Sequence, residues 1–190
     1  MLLGDAPEGT RLLVGVGRFA WEKRWDVVLD AFMKVRETRS ARLVLFGDGP
    51  ERRAMEARVA GRSDVTFAGF ERDRATLAAA LASADALVHG CPFETFGLGV
   101  AEALSCGLPV IVPDQGGAAE LASDGGGTRY RTGDVSACAE AIARVLSEDA
   151  RLVRSRATHA AARIPTVRDQ FAQTCEAYER LLAAPRTARD

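Results

Sequence analysis

The 190-residue sequence predicts an α/β fold, a single doubly wound, Rossmann-like parallel sheet, on three observations. Short apolar runs alternate with helical patterns from Arg11 onward, the βα repeat that builds a parallel sheet with right-handed crossovers. Most of the runs are continuously apolar, as strands covered on both faces must be. Glycine follows the runs again and again, in Gly15-Val-Gly17-Arg18, Gly47-Asp-Gly49, Gly69-Phe70, Gly90 to Gly97 and Asp114-Gln-Gly-Gly117. Turn chemistry explains one such glycine; repetition at successive strand ends suggests a crevice where backbone approaches a ligand.

The strands are expected at 11–16, 42–46, 65–67, 86–89, 109–112 and 128–130. Between the first two, Val27, Val28, Ala31, Phe32 and Val35 share one helical face, so a helix opens near Asp26. Pro50 suits the first turn of a second helix running to about Gly61. Leu77-Ala-Ala-Ala-Leu81 marks a third, 98–105 a fourth, 117–122 a short fifth and 135–146 a sixth. Further helical stretches run to about Arg163 and, after Pro165, over 167–182. The division expected is a linker remnant at 1–10, the sheet domain at 11–165, and a closing helix with its tail at 166–190.

Composition bounds the function. With 47% hydrophobic and 27% charged residues the chain is globular, which excludes disordered, collagenous and disulfide-scaffold classes. Twenty-five basic against 26 acidic residues leave a net charge of −1, which argues against a nucleic-acid or membrane-surface binder, so any anion site is local. Lys23 and Lys34 are the only lysines, a bias that reads as coding preference. No apolar run approaches the roughly 20 residues a membrane span needs, and no signal peptide is visible, so a cytoplasmic protein is expected. Cys91, Cys106, Cys138 and Cys175 lie far apart without a C-x-x-C pair and suggest neither a zinc site nor a disulfide framework.

Chemistry concentrates in two loops. Gly17-Arg18-Phe-Ala-Trp-Glu-Lys23 puts two cations on one strand-end loop, able to clamp a diphosphate with charge-assisted bonds of roughly 1.5–3 kcal/mol each. The plainer alternative is a solvated loop whose cation stems Trp21 and Trp25 shield. The same stretch matches the dinucleotide fingerprint only as Gly15-x-Gly17-x-x-Ala20. Its helix opens too late, and Asp48 falls about thirty residues on where about twenty is expected, which disfavours an NAD-type oxidoreductase. In the second loop, Phe96-Gly97 leads into a helix whose free amides favour phosphate. Glu94 precedes that turn and Glu102 follows about one turn inside the helix, so the two acids can flank a bound anion and accept from sugar hydroxyls. Glu102 also fits a plain helix-surface acid.

These residues resemble the carboxyl-terminal, donor-binding domain of the retaining glycosyltransferases of family 4, which have the two-domain GT-B architecture. Glu94 and Glu102 match that family's paired glutamates, and Gly17-Arg18 with Glu22-Lys23 match its phosphate loop. Gly47-Asp-Gly-Pro50, Val65-Thr-Phe-Ala-Gly69, Ala84-Asp85, Ala103-Leu-Ser-Cys-Gly107 and Gly116-Gly-Ala-Ala-Glu120 follow in order, covering about 11–148. The helix after Pro165 resembles the family's closing helix.

The resemblance implies a nucleotide-diphosphate sugar as donor and no metal or other cofactor, in keeping with the lack of an Asp-x-Asp motif. It makes Arg18, Lys23 and Glu94 the catalytic set. Arg18 and Lys23 would hold the diphosphate, Glu94 the sugar hydroxyls and Glu102 the ribose. The backbone of Gly17 and of Phe96, Gly97 and Leu98 would meet the phosphates, and Phe70 with Glu71 would border the base. It implies an acceptor-binding amino-terminal domain, in cis or as a separate chain. Through that half the enzyme would lie in the cytoplasm or on the inner face of a membrane. A non-catalytic nucleotide-sugar-binding or assembly module is the alternative.

Four departures from the family pattern stand out. Arg24 replaces the usual glycine after the loop lysine, Gly90-Cys91 replaces Pro-Ser, and Thr95 replaces a frequent glycine. The first strand begins only ten residues after Met1, leaving no acceptor domain in this sequence. The closing helix is therefore expected to be mobile or buried in a self-association. Cys91 reads as a buried thiol beside the donor site, and His89 as a packed or hydrogen-bonded structural histidine rather than a base.

Overall fold

The computed structural model describes residues 6–123 and 125–183; residues 1–5 of the expected linker and 184–190 of the expected tail lie outside them. One sheet holds six parallel strands: β1 (Arg11–Val16), β2 (Ala41–Phe46), β3 (Val65–Gly69), β4 (Ala86–Val88), β5 (Val110–Pro113) and β6 (Gly127–Tyr130). Their order, β3-β2-β1-β4-β5-β6, reverses direction between β1 and β4. Ligands of doubly wound sheets bind outside the carboxyl ends of the strands at that switch point.

Eight helices are described: α1 (Trp25–Arg36), α2 (Arg52–Arg58), α3 (Arg74–Ser83), α4 (Leu98–Ser105), α5 (Gly117–Ala122), α6 (Val135–Ser147), α7 (Ala150–Ala161) and α8 (Val167–Ala183). Seven of them cover the sheet, and successive strand residues serve opposite layers. Leu13, Leu43 and Ile111 pack with α1, α2 and α6, whereas Leu12, Val14, Val44 and Val110 pack with α3, α4, α5 and α7. Two-sided burial is the reason the strands read as unbroken apolar runs. Asp73, Asp134 and Asp149 cap α3, α6 and α7, each side chain accepting from two first-turn amides.

The switch point is stapled at its amino-terminal end. Arg11 Nη1 contacts Asp85 Oδ1 at 2.8 Å, and the Leu12 amide donates to Asp85 Oδ2 at 2.7 Å. Asp85 thus ties β1 to β4, which gives the Ala84-Asp85 pair a structural role.

The second helix is shorter than expected, ending at Arg58 rather than near Gly61, and the third strand runs two residues further, to Gly69. The second helix begins at Arg52, because Gly49 lies hard against Phe19, whose carbonyl accepts the Glu51 amide at 2.9 Å, and the chain turns there first. The first helix opens at Trp25, as expected near Asp26, behind a single 3-10 turn at Trp21–Lys23 within the expected loop. No residue of α8 is buried: Val167, Phe171, Tyr178, Leu181 and Leu182 all face outward. Among the described residues no helix is long and apolar enough to cross a membrane.

Candidate functional site

Two loops meet across the switch point, and glycines set how closely. The Gly17 amide donates to the Phe46 carbonyl at 3.0 Å, and a β-carbon at Gly47 would fall 1.9 Å from the Gly17 carbonyl oxygen. From β4, Gly90 comes against the other end of the first loop. A β-carbon there would lie 2.6 Å from the Lys23 carbonyl oxygen and 2.7 Å from that of Arg24. Only glycine permits this approach.

Arg24 takes φ 48°, ψ 43°, the left-handed conformation, and is the only non-glycine with positive φ among the described residues. A glycine at this position would adopt that geometry without strain, so the departure from the family pattern falls where glycine has a physical purpose. The Arg24 side chain neither joins a phosphate-facing cluster nor runs free into solvent. It pairs with Asp26 through Nε and Nη2, both at 3.2 Å. Trp25 is buried, its Nε1 donating to the Arg18 carbonyl at 2.9 Å, while Trp21 stays 72% exposed. Of the two indoles expected to shield the loop, only Trp25 is buried beneath it.

The closure of the loops brings Lys23 Nζ to 2.5 Å from Glu94 Oε1. His89 Nε2 lies 3.4 Å from the same oxygen. The imidazole contact and, against the opposing effect of burial, the Lys23 ammonium hold the Glu94 carboxyl down at about 2, so it is ionised throughout the physiological range. The Glu94 main chain is fixed as well, its carbonyl accepting the Gly117 amide at 2.7 Å.

His89 is packed, one of the two expected alternatives. The Tyr130 hydroxyl donates to its carbonyl at 2.8 Å and its amide donates to the Ile111 carbonyl, whereas the buried Nε2 has only its 3.4 Å contact with Glu94 and no hydrogen bond among the described residues. Cys91, 2% exposed, is the buried thiol anticipated, and burial pushes its ionisation up. His89, Cys91 and Glu94 each offer a ligand-type atom, and the three lie within 4.8 Å of one another. The sequence, with cysteines far apart and only two histidines, suggests no such grouping; the His-x-Cys-x-x-Glu spacing across a strand end is its one visible signal.

Phe96 and Gly97 lead into α4 as expected. Gly97, at φ 88°, begins the helix without a side-chain cap, and the Leu98 and Gly99 amides have no acceptor among the described residues. Free amides at a helix amino terminus favour an anion. Glu102 lies one turn along and contacts Arg74 Nη2 at 3.2 Å, a mostly exposed pair away from Lys23 and His89.

Arg18 is exposed and has no carboxylate partner among the described residues. It borders a cavity of about 360 Å³ with Gly17, Gly47, Asp48, Phe70, Glu71 and Leu77. The structure therefore gathers Gly17, Arg18 and Phe70 around one cavity, and Lys23 with Glu94 into one ion pair. A larger hollow of about 540 Å³ between Trp21, Met55 and Phe93 includes none of the candidate site residues.

The model of the family described as "Glycosyl transferases group 1" matches residues 10–148. The chain belongs to that family. It is 36% identical over 146 residues to a GDP-mannose-dependent alpha-(1-6)-phosphatidylinositol dimannoside mannosyltransferase of Mycobacterium tuberculosis, covering 76% of this chain and 36% of that protein. A GDP-mannose-dependent alpha-mannosyltransferase of the same organism is 36% identical over 157 residues, 83% of this chain and 38% of that protein. Among solved structures, the sucrose-phosphate synthase of Thermosynechococcus elongatus superposes with a TM-score of 0.78 at 28% identity, covering 94% of this chain and 47% of that one. The group 1 chain described here thus spans little more than a third of those curated relatives, and its sheet is the Rossmann-like half of a GT-B glycosyltransferase fold.

Proposed function

We propose that this chain is the donor half of a retaining glycosyltransferase that binds a nucleotide-diphosphate sugar, with GDP-mannose the donor of choice. The observation that carries the reading is the Lys23–Glu94 pair at the switch point, beside the uncapped amino terminus of α4. The two relatives named as GDP-mannose-dependent support the donor.

In this reading each group has a separate task. Arg18, exposed at the cavity rim, and Lys23 take the diphosphate, with the Leu98 and Gly99 amides completing the anion site. Glu94, permanently ionised, accepts from hydroxyls of the transferred sugar. Glu102 accepts from the ribose, exchanging its weak surface contact with Arg74 for a ligand, and Phe70 closes the cavity over the base. When the glycosidic bond breaks, negative charge builds on the departing diphosphate, and cations and amides already in place stabilise it without reorganising. The transfer needs no metal, and the acceptor is held by a second domain or chain. The 190-residue chain alone binds donor but transfers poorly, since an open crevice neither positions two substrates nor excludes water.

Titration calorimetry with GDP, UDP, ADP and NAD tests this, with Lys23→Ala and Glu102→Ala alongside. Binding of GDP with Kd on the order of 10 μM to 1 mM, weakened by both substitutions, is expected. Binding of NAD alone, or rapid sugar transfer by the isolated chain, would sink the reading.

A further inference from the structure

The imidazole Nε2 of His89 is a polar atom buried with no hydrogen-bond partner. Native structures rarely leave such an atom without a purpose. It lies 3.4 Å from Glu94 Oε1, and His89, Cys91 and Glu94 each offer a ligand-type atom within 4.8 Å of the other two. We propose that His89, Cys91 and Glu94 form a three-ligand site for a divalent transition metal of zinc's borderline-soft character, and that this metal and the Lys23 ammonium are alternative partners of Glu94. The site shares Glu94 with the proposed donor site but takes no part in the metal-independent transfer chemistry, and its case is the side-chain geometry.

Three features fit zinc. Nitrogen, sulfur and carboxylate oxygen are its protein ligands, and three of them with one open position is a coordination it accepts. The 3.4 Å between His89 Nε2 and Glu94 Oε1 is close to the roughly 3.3 Å edge of a tetrahedron built on ~2.0 Å bonds. The histidine and the cysteine are buried and pre-positioned, while the Glu94 side chain, 19% exposed, leaves a way in from solvent. Hard cations such as Mg²⁺ are poorly served by a thiol and an imidazole. On binding, the Cys91 thiol gives its proton to solvent as the metal–sulfur bond forms, and the Lys23–Glu94 hydrogen bond breaks.

Cobalt(II), which takes the same ligands and absorbs visibly, is the probe. Titrated into the reduced, chelator-treated full chain, it is expected to give a thiolate-to-cobalt charge-transfer band that saturates at one metal per chain and is displaced by Zn²⁺. The band should vanish in Cys91→Ser, persist in Cys106→Ser and Cys175→Ser, and require at least about tenfold more metal in His89→Gln. Lys23→Met, which frees Glu94, should tighten cobalt roughly tenfold while weakening nucleoside diphosphate binding. A chain with the cobalt band but no nucleotide affinity would keep the metal site and lose the donor reading. Absence of a thiolate band, or one that survives Cys91→Ser, would overturn the site, and unchanged affinity in Lys23→Met would overturn the competition. X-ray absorption of the zinc-loaded unmodified chain decides the matter if Cys91→Ser does not fold: one sulfur with two or more nitrogen or oxygen ligands supports the site, and a shell with no sulfur or two sulfurs overturns it.

Discussion

Lys23 and Glu94, 71 positions apart, meet at 2.5 Å because two loops from neighbouring strands are pressed together at the switch point of the sheet. The pair divides the proposed labour: the ammonium faces phosphate chemistry and the carboxylate faces hydroxyl chemistry. Glu94→Gln is therefore expected to weaken a GDP-sugar by tenfold or more, roughly the loss of one charge-assisted hydrogen bond, and bare GDP much less. Lys23→Ala is expected to weaken both alike. Parallel calorimetry with GDP and GDP-mannose on the two variants checks the split.

Gly90 is expected to be the most sensitive backbone position of the site. A methyl group there meets two carbonyl oxygens at 2.6 and 2.7 Å, and the loop must retreat to admit it. Gly90→Ala should cost about 1–3 kcal/mol in urea unfolding. By moving Lys23 away from Glu94 it should also reduce nucleotide affinity beyond what the stability loss explains.

Arg24 gives the opposite expectation. Its left-handed backbone costs an L-residue roughly 1–2 kcal/mol, and its half-exposed pair with Asp26 returns about 1 kcal/mol or less. Arg24→Gly should leave stability within about 1 kcal/mol of the parent, whereas Arg24→Val, β-branched at positive φ, should lose about 2 kcal/mol. Chemical denaturation of the two variants is the measurement.

Asp64 sets an acid limit on the fold. Burial opposes its charge, but hydrogen bonds from Arg62 and Arg36, at 2.6 and 2.7 Å, win and hold its carboxyl below the usual value. A folded pKa below the unfolded ~3.9 contributes stability fully above that value and loses it as pH falls through the folded one. Asp64→Asn should cost about 1–3 kcal/mol at pH 7 and flatten the fall in stability below about pH 4, read from denaturation midpoints across pH.

The last helix should be the least protected of the long elements. With no residue of α8 buried, its 17 residues rely on their own marginal helix-forming tendency. Amides at 167–183 are expected to exchange far faster than those of α1 or α6 in a dilute monomer. Protection that grows with protein concentration would show that the outward-facing Phe171, Tyr178 and Leu181 pair between copies.

What the sequence makes legible is what local pattern controls. Short runs, mostly continuously apolar, locate all six strands, and α4 and α5 fall on their expected limits, since glycine turns and apolar periodicity act over a few residues. Contacts between distant segments escape the pattern. The left-handed Arg24 follows from a fit against Gly90 that no local preference of arginine announces, and α2 starts late because Phe19 occupies the turn before it. Glu102's contact with Arg74 joins two helices whose relative placement only the folded sheet defines. That the His89 ring nitrogen makes no hydrogen bond among the described residues depends on what fails to surround it, which a linear reading cannot count.

The strand order has a genetic corollary. Both cations assigned to the diphosphate, Arg18 and Lys23, are encoded before the crossover from β3 to β4, and both acids assigned to hydroxyls, Glu94 and Glu102, after it. A gene cut between the codons for β3 and α3 would yield two fragments with complementary halves of the site, each unable to clasp a nucleotide by itself. Recovered ligand affinity would then signal that the fragments had found one another, making the domain a two-piece reporter.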